Sequence, residues 1–175
     1  MTVLLSAPHA GCFSLTGERD CDLLAEKAAR YLNLLIPESK LYVGYVKRKE
    51  LDLNRDQAFN DPFRVNLRRA ADQFNPVISL DIHSFPTPEF NGTDLTILDE
   101  SPGTDYGHDL HAFLQSRLPY RIGYYKGAGN SIMNEMRSKG IPSILIEFNE
   151  DLSDDDLTSI DLVIIEWLIE QGYLF

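Results

Sequence analysis

The chain is short of the residues that most often do redox or metal work: two cysteines, three methionines and four histidines in 175 residues, with a single tryptophan. Two cysteines cannot staple a disulfide-rich scaffold. Cys12 and Cys21 also lack the CxxC or paired-knuckle spacing of a structural zinc site, so free thiols are expected. Positive charge is scarce too. Sixteen Lys and Arg face 27 Asp and Glu, a formal net charge of -11. Nucleic acid and anionic membrane need a basic face to displace counterions, so neither is expected as a partner. Any anionic ligand must then be met by a local basic group. No apolar run approaches the ~20 residues of a transmembrane helix. The opening "MTVLLSAPHAG" has no basic flank and too short an apolar run for a secretory leader, so a cytoplasmic location is expected. No repeat, low-complexity tract or linker interrupts the chain, and one domain over residues 1–175 is the expectation.

What is present is a hydrophobic content of 43%, arranged as short apolar runs alternating with segments of helical period. That alternation predicts an α/β fold: a three-layer sandwich with a mixed, mainly parallel central sheet flanked by helices. The strand candidates are "TVLLSA", "LYVGYVK", "PVISLDIH", "DLTILD", "RIGYY" and "SILIEF". Helices are predicted over Asp20 to Leu35, Pro62 to Phe74, Tyr106 to Leu118 and Ser131 to Lys139. A last helix is capped by Ser153, opens on Asp154, Asp155 and Asp156, buries Leu157, Ile160, Ile164, Trp167 and Leu168, and stops at Gly172.

In a sheet of this kind, groups at the carboxyl ends of the strands meet in one crevice. "PHAG" brings His9 there after the first strand, and "DLNR" brings Asp52, Asn54 and Arg55 after the second. "DIHSF" delivers His83, and "ILIEFNE" delivers Glu147. Two histidines, a strand-borne carboxylate and an arginine at one rim suit zinc-assisted hydrolysis of an amide. A catalytic Zn²⁺ takes three nitrogen or oxygen ligands at roughly 2.0–2.2 Å and keeps a position for water. His9 and His83 are candidate ligands. Glu147 is the candidate general base, and Arg55 the candidate clamp for a substrate carboxylate.

"SAPHAG", "DLNR", "DIHSF" and "ILIEFNE", in that order, resemble the landmark motifs of the N-formylglutamate amidohydrolase family, which shares its fold with the zinc carboxypeptidases. The resemblance spans Ser6 to Leu152. It implies a zinc carboxypeptidase-like fold, a zinc ligand at His9, a carboxylate grip by Asn54 with Arg55, the last zinc ligand at His83, and a general base at Glu147. Carboxypeptidases place a glutamate three residues after the first histidine; here that position is Cys12. The amidohydrolases carry a carboxylate at the head of the following helix instead, which implies Asp22. Glu18, Asp20 and Cys12 stay open as alternatives, as does a plain helix-dipole role for the acids.

In the same family the region of "YKGAGNSIMNEM" flanks the substrate pocket, so Asn130 and Tyr125 become candidates for substrate contact. Lys47, Arg48 and Lys49 form a run that is mostly solvated charge and adds positive potential near "DLNR". His108 and His111 lie on a polar helix face and are expected at the surface. Two departures bear on the substrate. The chain is shorter than typical members of either family, and Asn149 stands where the amidohydrolases often carry an arginine.

The expected function is a zinc-dependent amidohydrolase acting on a small N-acyl amino acid, N-formylglutamate-like, or on a short peptide bearing a carboxylate. The alternatives are a carboxypeptidase-like or γ-glutamyl metallopeptidase, and a non-catalytic carboxylate-binding protein of the same fold. Oligomeric state is not legible.

Overall fold

The computed structural model describes residues 1–11, 21–87, 89–99, 105–126 and 130–175. Six strands and five helices follow in the order β1 (Val3–Ala7), α1 (Ala25–Leu35), β2 (Ser39–Val43), α2 (Pro62–Phe74), β3 (Ile78–Phe85), β4 (Leu95–Asp99), α3 (Tyr106–Arg117), β5 (Ile122–Lys126), α4 (Ser131–Ser138), β6 (Ser143–Asn149) and α5 (Asp154–Glu170). The strands join in one sheet of order β2-β1-β3-β6-β4-β5. All neighbours are parallel except β4 and β6, which pair antiparallel. The half formed by β4 and β5 therefore runs against the other four strands.

Every residue of β1 and β3 is buried, as expected of central strands covered on both faces. Side-chain alternation divides the sheet between two layers of helix. Val3, Leu5, Leu80, Ile82, Ile97, Ile146 and Phe148 point into the larger core beneath α1, α3 and α5. Leu4 faces the other way, into a smaller core with Leu67 and Ala70 of α2 and Ile132 and Met136 of α4. The α/β three-layer sandwich expected from the sequence is the observed architecture.

Three local expectations need correction. The first helix begins at Ala25 rather than Asp20. The N–H groups of Asp22, Leu23 and Leu24 are drawn to His9 O (3.0 Å), Glu150 Oε1 (2.9 Å) and Ser84 Oγ (3.0 Å), so those residues form a turn tied to the rim. The second strand ends at Val43 and does not run on through Lys47. Just past its end, Gly44 is pressed so closely against Pro8 O and Leu53 Cδ1 that a Cβ there would lie 2.5 and 2.4 Å from them, so the position takes only glycine. Cys21 is disulfide-bonded, not a free thiol.

Helix α5 follows its sequence signals closely. The Ser153 side chain accepts from Asp156 N–H while the Asp156 carboxylate accepts from Ser153 N–H, a reciprocal cap that contributes about 1 kcal/mol. The expected stripe is buried, and Asp161 is buried with it. Among the described residues, no helix is long and apolar enough to cross a membrane.

Candidate metal centre and cleft

The parallel half of the sheet places the carboxyl ends of β1, β3 and β6 along one rim. His9 follows β1, and the turn before α1 carries Asp22. His83 is near the end of β3, paired across the ladder with Glu147 of β6. His9, Asp22 and His83 are all buried, and one ligand atom from each lies within 4.8 Å of the others. The rings of His9 and His83 meet edge to face with centroids 4.9 Å apart.

Each imidazole turns one nitrogen toward Asp22 and the other toward a second acid. His9 Nδ1 lies 3.5 Å from Asp22 Oδ2, and its Nε2 lies 2.8 Å from Asp52 Oδ1. His83 Nδ1 lies 2.7 Å from Asp22 Oδ2, while its Nε2 faces Asp81 Oδ2 at 3.3 Å and the Asn54 amide at 2.6 Å. Asp52 Oδ1 also accepts from Asn54 N–H, and Asp81 accepts from Ser6 Oγ at 2.6 Å and Asn130 Nδ2 at 2.8 Å. A carboxylate behind a histidine fixes its ring and raises its basicity as a ligand.

The charges follow from this packing. Burial pushes the carboxyls of Asp22, Asp52 and Asp81 up, but the histidines and hydrogen bonds beside them outweigh it and hold all three below the usual range. For His83, burial acts downward and the charge of Asp81 with the Asp22 bond overcomes it, so its basicity stands well above normal. For Glu147 the compensation falls short. Burial raises it, the charges of Asp22 and Asp81 add to the rise, His83 and Arg48 oppose it, and its pKa reaches about 7.

These residues suit a divalent cation. His9 Nδ1 is buried with no hydrogen-bond partner among the described residues, a costly state that a bound ion relieves. Its 3.5 Å spacing from Asp22 Oδ2 is the separation that two ligands of a tetrahedral ion adopt at about 2.0–2.2 Å. Two imidazoles and one carboxylate also leave a position free for water.

Beside the trio lies a cleft of about 110 Å³. His83, Glu147, Leu98 and Leu145 line it from the sheet, and Asn54 and Asn130 from the segments beside the sheet. Arg48 and Arg55, each about half exposed, stand at the mouth, where both approach Asp52 Oδ2 at 3.5 Å. The mouth thus brings two guanidinium groups beside a set of ionised aspartates. Asn130 lines it with its side chain engaged: Oδ1 accepts from Met133 N–H to cap α4, and Nδ2 donates to Asp81. Arg64 of α2, 1% exposed, fastens this wall. It donates to Leu53 O, Ser131 Oγ and Glu135 Oε2.

Cys12, Glu18 and Asp20, the alternative ligands, lie outside the described residues. His108 and His111 stand on α3 against Tyr124, away from the cluster. His111 is half-buried and 3.2 Å from Ile122 O. Sequence reasoning assigned no role to Asp52, Asp81 or Arg64. An acid two residues before a histidine on a strand shares its face, so Asp81 carried a readable signal. Arg64 carried none, because its partners are remote in the chain.

No family model matches the sequence, and no curated protein matches it either. Solved structures do. A gene product of Agrobacterium tumefaciens is similar over 96% of this chain and 89% of its own, with a TM-score of 0.71 at 17% identity. An N-formylglutamate amidohydrolase from Ralstonia eutropha is similar over 97% and 94%, with a TM-score of 0.65 at 16% identity. A metallo-carboxypeptidase from Burkholderia cenocepacia is similar over 98% of this chain and 57% of its own, with a TM-score of 0.58 at 12% identity. The chain has the zinc carboxypeptidase-like fold. The resemblance to the amidohydrolases therefore holds in three dimensions as well as in motif order, at the level of fold.

Proposed function

We propose that this chain is a metal-dependent hydrolase that cleaves the amide bond of a small N-acyl amino acid bearing a free carboxylate, an N-formylglutamate-like substrate. The observation that carries the reading is the adjacency of the His9, Asp22 and His83 trio to Glu147, one ladder position away beneath two arginines.

His9, Asp22 and His83 would hold the ion, with Asp52 and Asp81 fixing the two rings from behind. When bound, zinc supplies Lewis-acid polarisation of the carbonyl and a lowered pKa for water. Arg55, with Asn54 beside it, pairs with the substrate carboxylate and sets the scissile bond in the cleft. Glu147 removes a proton from the attacking water and delivers it to the departing nitrogen. A carboxyl poised near 7 suits both halves of that transfer. The same group argues against a pure carboxylate binder, which has no use for a proton carrier in its cleft.

The test is hydrolysis of N-formylglutamate, other N-acyl amino acids and short peptides by metal-loaded protein, with and without chelator, beside Glu147→Gln. Chelator-sensitive release of amine from an N-acyl amino acid, absent in the variant, is the expected result. Peptide-only turnover would move the reading to a metallopeptidase, and turnover undiminished in Glu147→Gln would sink the mechanism.

A further inference from the structure

Asp22 differs from the other two candidate ligands in what holds it. His83 lies in a central strand and His9 two residues past another, whereas Asp22 sits on the turn before α1, outside the sheet. Leu24, which opens α1, brings no capping side chain, so the N–H groups of this turn must find acceptors elsewhere. Asp22 N–H donates to His9 O at 3.0 Å. The next two donors go to a linked pair of side chains. Leu23 N–H donates to Glu150 Oε1 at 2.9 Å, and Leu24 N–H to Ser84 Oγ at 3.0 Å. The Ser84 hydroxyl in turn donates to the same Glu150 oxygen at 3.0 Å, which closes the chain of bonds. Both anchors are fixed to the sheet. Ser84 follows His83 in β3, and Glu150, just past β6, donates its N–H to Phe85 O at 3.0 Å.

We propose that Glu150, acting with Ser84 on the Leu23 and Leu24 amides, is a positioning residue for the metal centre: it clamps the turn that carries Asp22 to the ends of β3 and β6. The inference rests on the metal-centre reading above. Metal ligands must be held within about 0.5 Å of their productive geometry, and the turn has no ladder of its own to do that. Glu150 also stands three residues after Glu147, so one carboxylate registers the third ligand against the strand that bears the general base. Leu23 is 54% exposed, so water takes over the bond to its N–H once the carboxylate is removed. The loss of Glu150 therefore falls on the placement of Asp22 more than on the stability of the fold.

Zinc affinity reads the clamp without turnover. Metal-free full-length wild type and variants are titrated with Zn²⁺ against a chromophoric chelator, and their Co²⁺ forms are compared by visible absorption. Glu150→Ala is expected to bind zinc about 10- to 100-fold more weakly and to change the intensity of the Co²⁺ bands, while its metal-free unfolding midpoint stays close to that of wild type. Glu150→Gln keeps an oxygen acceptor at the same reach and is expected to retain zinc affinity. Glu150→Asp keeps the charge but shortens the reach, and is expected to be as weak as Glu150→Ala. Should the alanine variant fail to fold, the Gln and Asp pair carries the comparison. Wild-type affinity and an unchanged Co²⁺ spectrum in Glu150→Asp overturn the clamp, and a Glu150→Gln protein as weak as Glu150→Asp overturns the hydrogen bond as its basis. A wild type that takes up no zinc overturns the metal centre and the clamp with it, whereas a zinc-binding wild type beside unaffected variants overturns the clamp alone.

Discussion

Asp81 in strand β3 and Asp161 in helix α5 are both fully shielded from solvent, yet their surroundings drive ionisation in opposite directions. Asp81 accepts from Ser6 and Asn130 and lies beside His83, and these partners hold it ionised despite burial. Both oxygens of Asp161 lack a hydrogen-bond partner among the described residues, and burial alone raises its pKa to about 8. Depth of burial sets the size of the desolvation penalty, and partners decide which protonation state bears it. The rim is built to keep acids charged close together, as a cation site requires. Helix α5 carries its acid neutral at physiological pH. Glu147 stands between the two, half-buried at the cleft among charges of both signs and poised near 7.

The contrast breaks most completely if the trio is dismantled. His83→Ala is expected to abolish metal binding, with about one zinc per chain in wild type and none in the variant by elemental mass spectrometry, and to remove activity with it. Metal retained at full occupancy in the variant would place the ion elsewhere. Next in size is Glu147→Gln, expected to keep the metal and lower kcat by on the order of 10²- to 10⁴-fold. Because Glu147 must be ionised to act as a base, kcat/KM of the metal-loaded wild type should fall on an acid limb that lies below about 7, since a bound cation favours the carboxylate.

A third effect concerns stability. The folded pKa of Asp161 lies above its unfolded value, so its contribution is fully present below the ordinary aspartate range and is lost as pH rises toward about 8. At up to about 1.4 kcal/mol per pH unit, the loss between pH 5 and pH 8 is on the order of 3 kcal/mol. Urea unfolding of Asp161→Asn at both pH values should lack that component. An identical pH dependence in variant and wild type would show that Asp161 is partnered. The smallest effect is expected at the exposed mouth. Arg55→Ala should raise KM for carboxylate substrates about 10-fold with little change in kcat, and unaltered steady-state kinetics would reduce Arg55 to a partner of Asp52.

Much of this arrangement was legible in the sequence, and particular residues show why the rest was not. The central strand β1 was readable because burial on both faces writes a nearly continuous apolar run, "VLLSA", and β3 was readable from the apolar "VISL" that leads into it. Helix α2 was readable to the residue because Pro62 opens it and Asn75, in left-handed conformation, closes it. The start of α1 was not, since the N–H groups that delay it bond to Glu150, Ser84 and His9. Motif order brought His9, His83, Glu147, Asn54 and Arg55 to one rim. Asp81 was readable only from its place two residues before His83, and the Arg64 contacts, which join distant segments, left no local pattern. Asp161 sits within the apolar stripe of α5, where helical period predicts burial but not the absence of a partner.

The Arg64 knot has a consequence for how the molecule comes apart. One guanidinium joins the second crossover helix, the carbonyl of Leu53 beside Asn54, and the first turn of α4, whose cap Asn130 also holds Asp81. These segments share their donors and acceptors, so none can open alone without stranding buried polar groups in the others. Amide exchange in α2, the Leu53 to Arg55 segment and the start of α4 should therefore proceed as one cooperative unit.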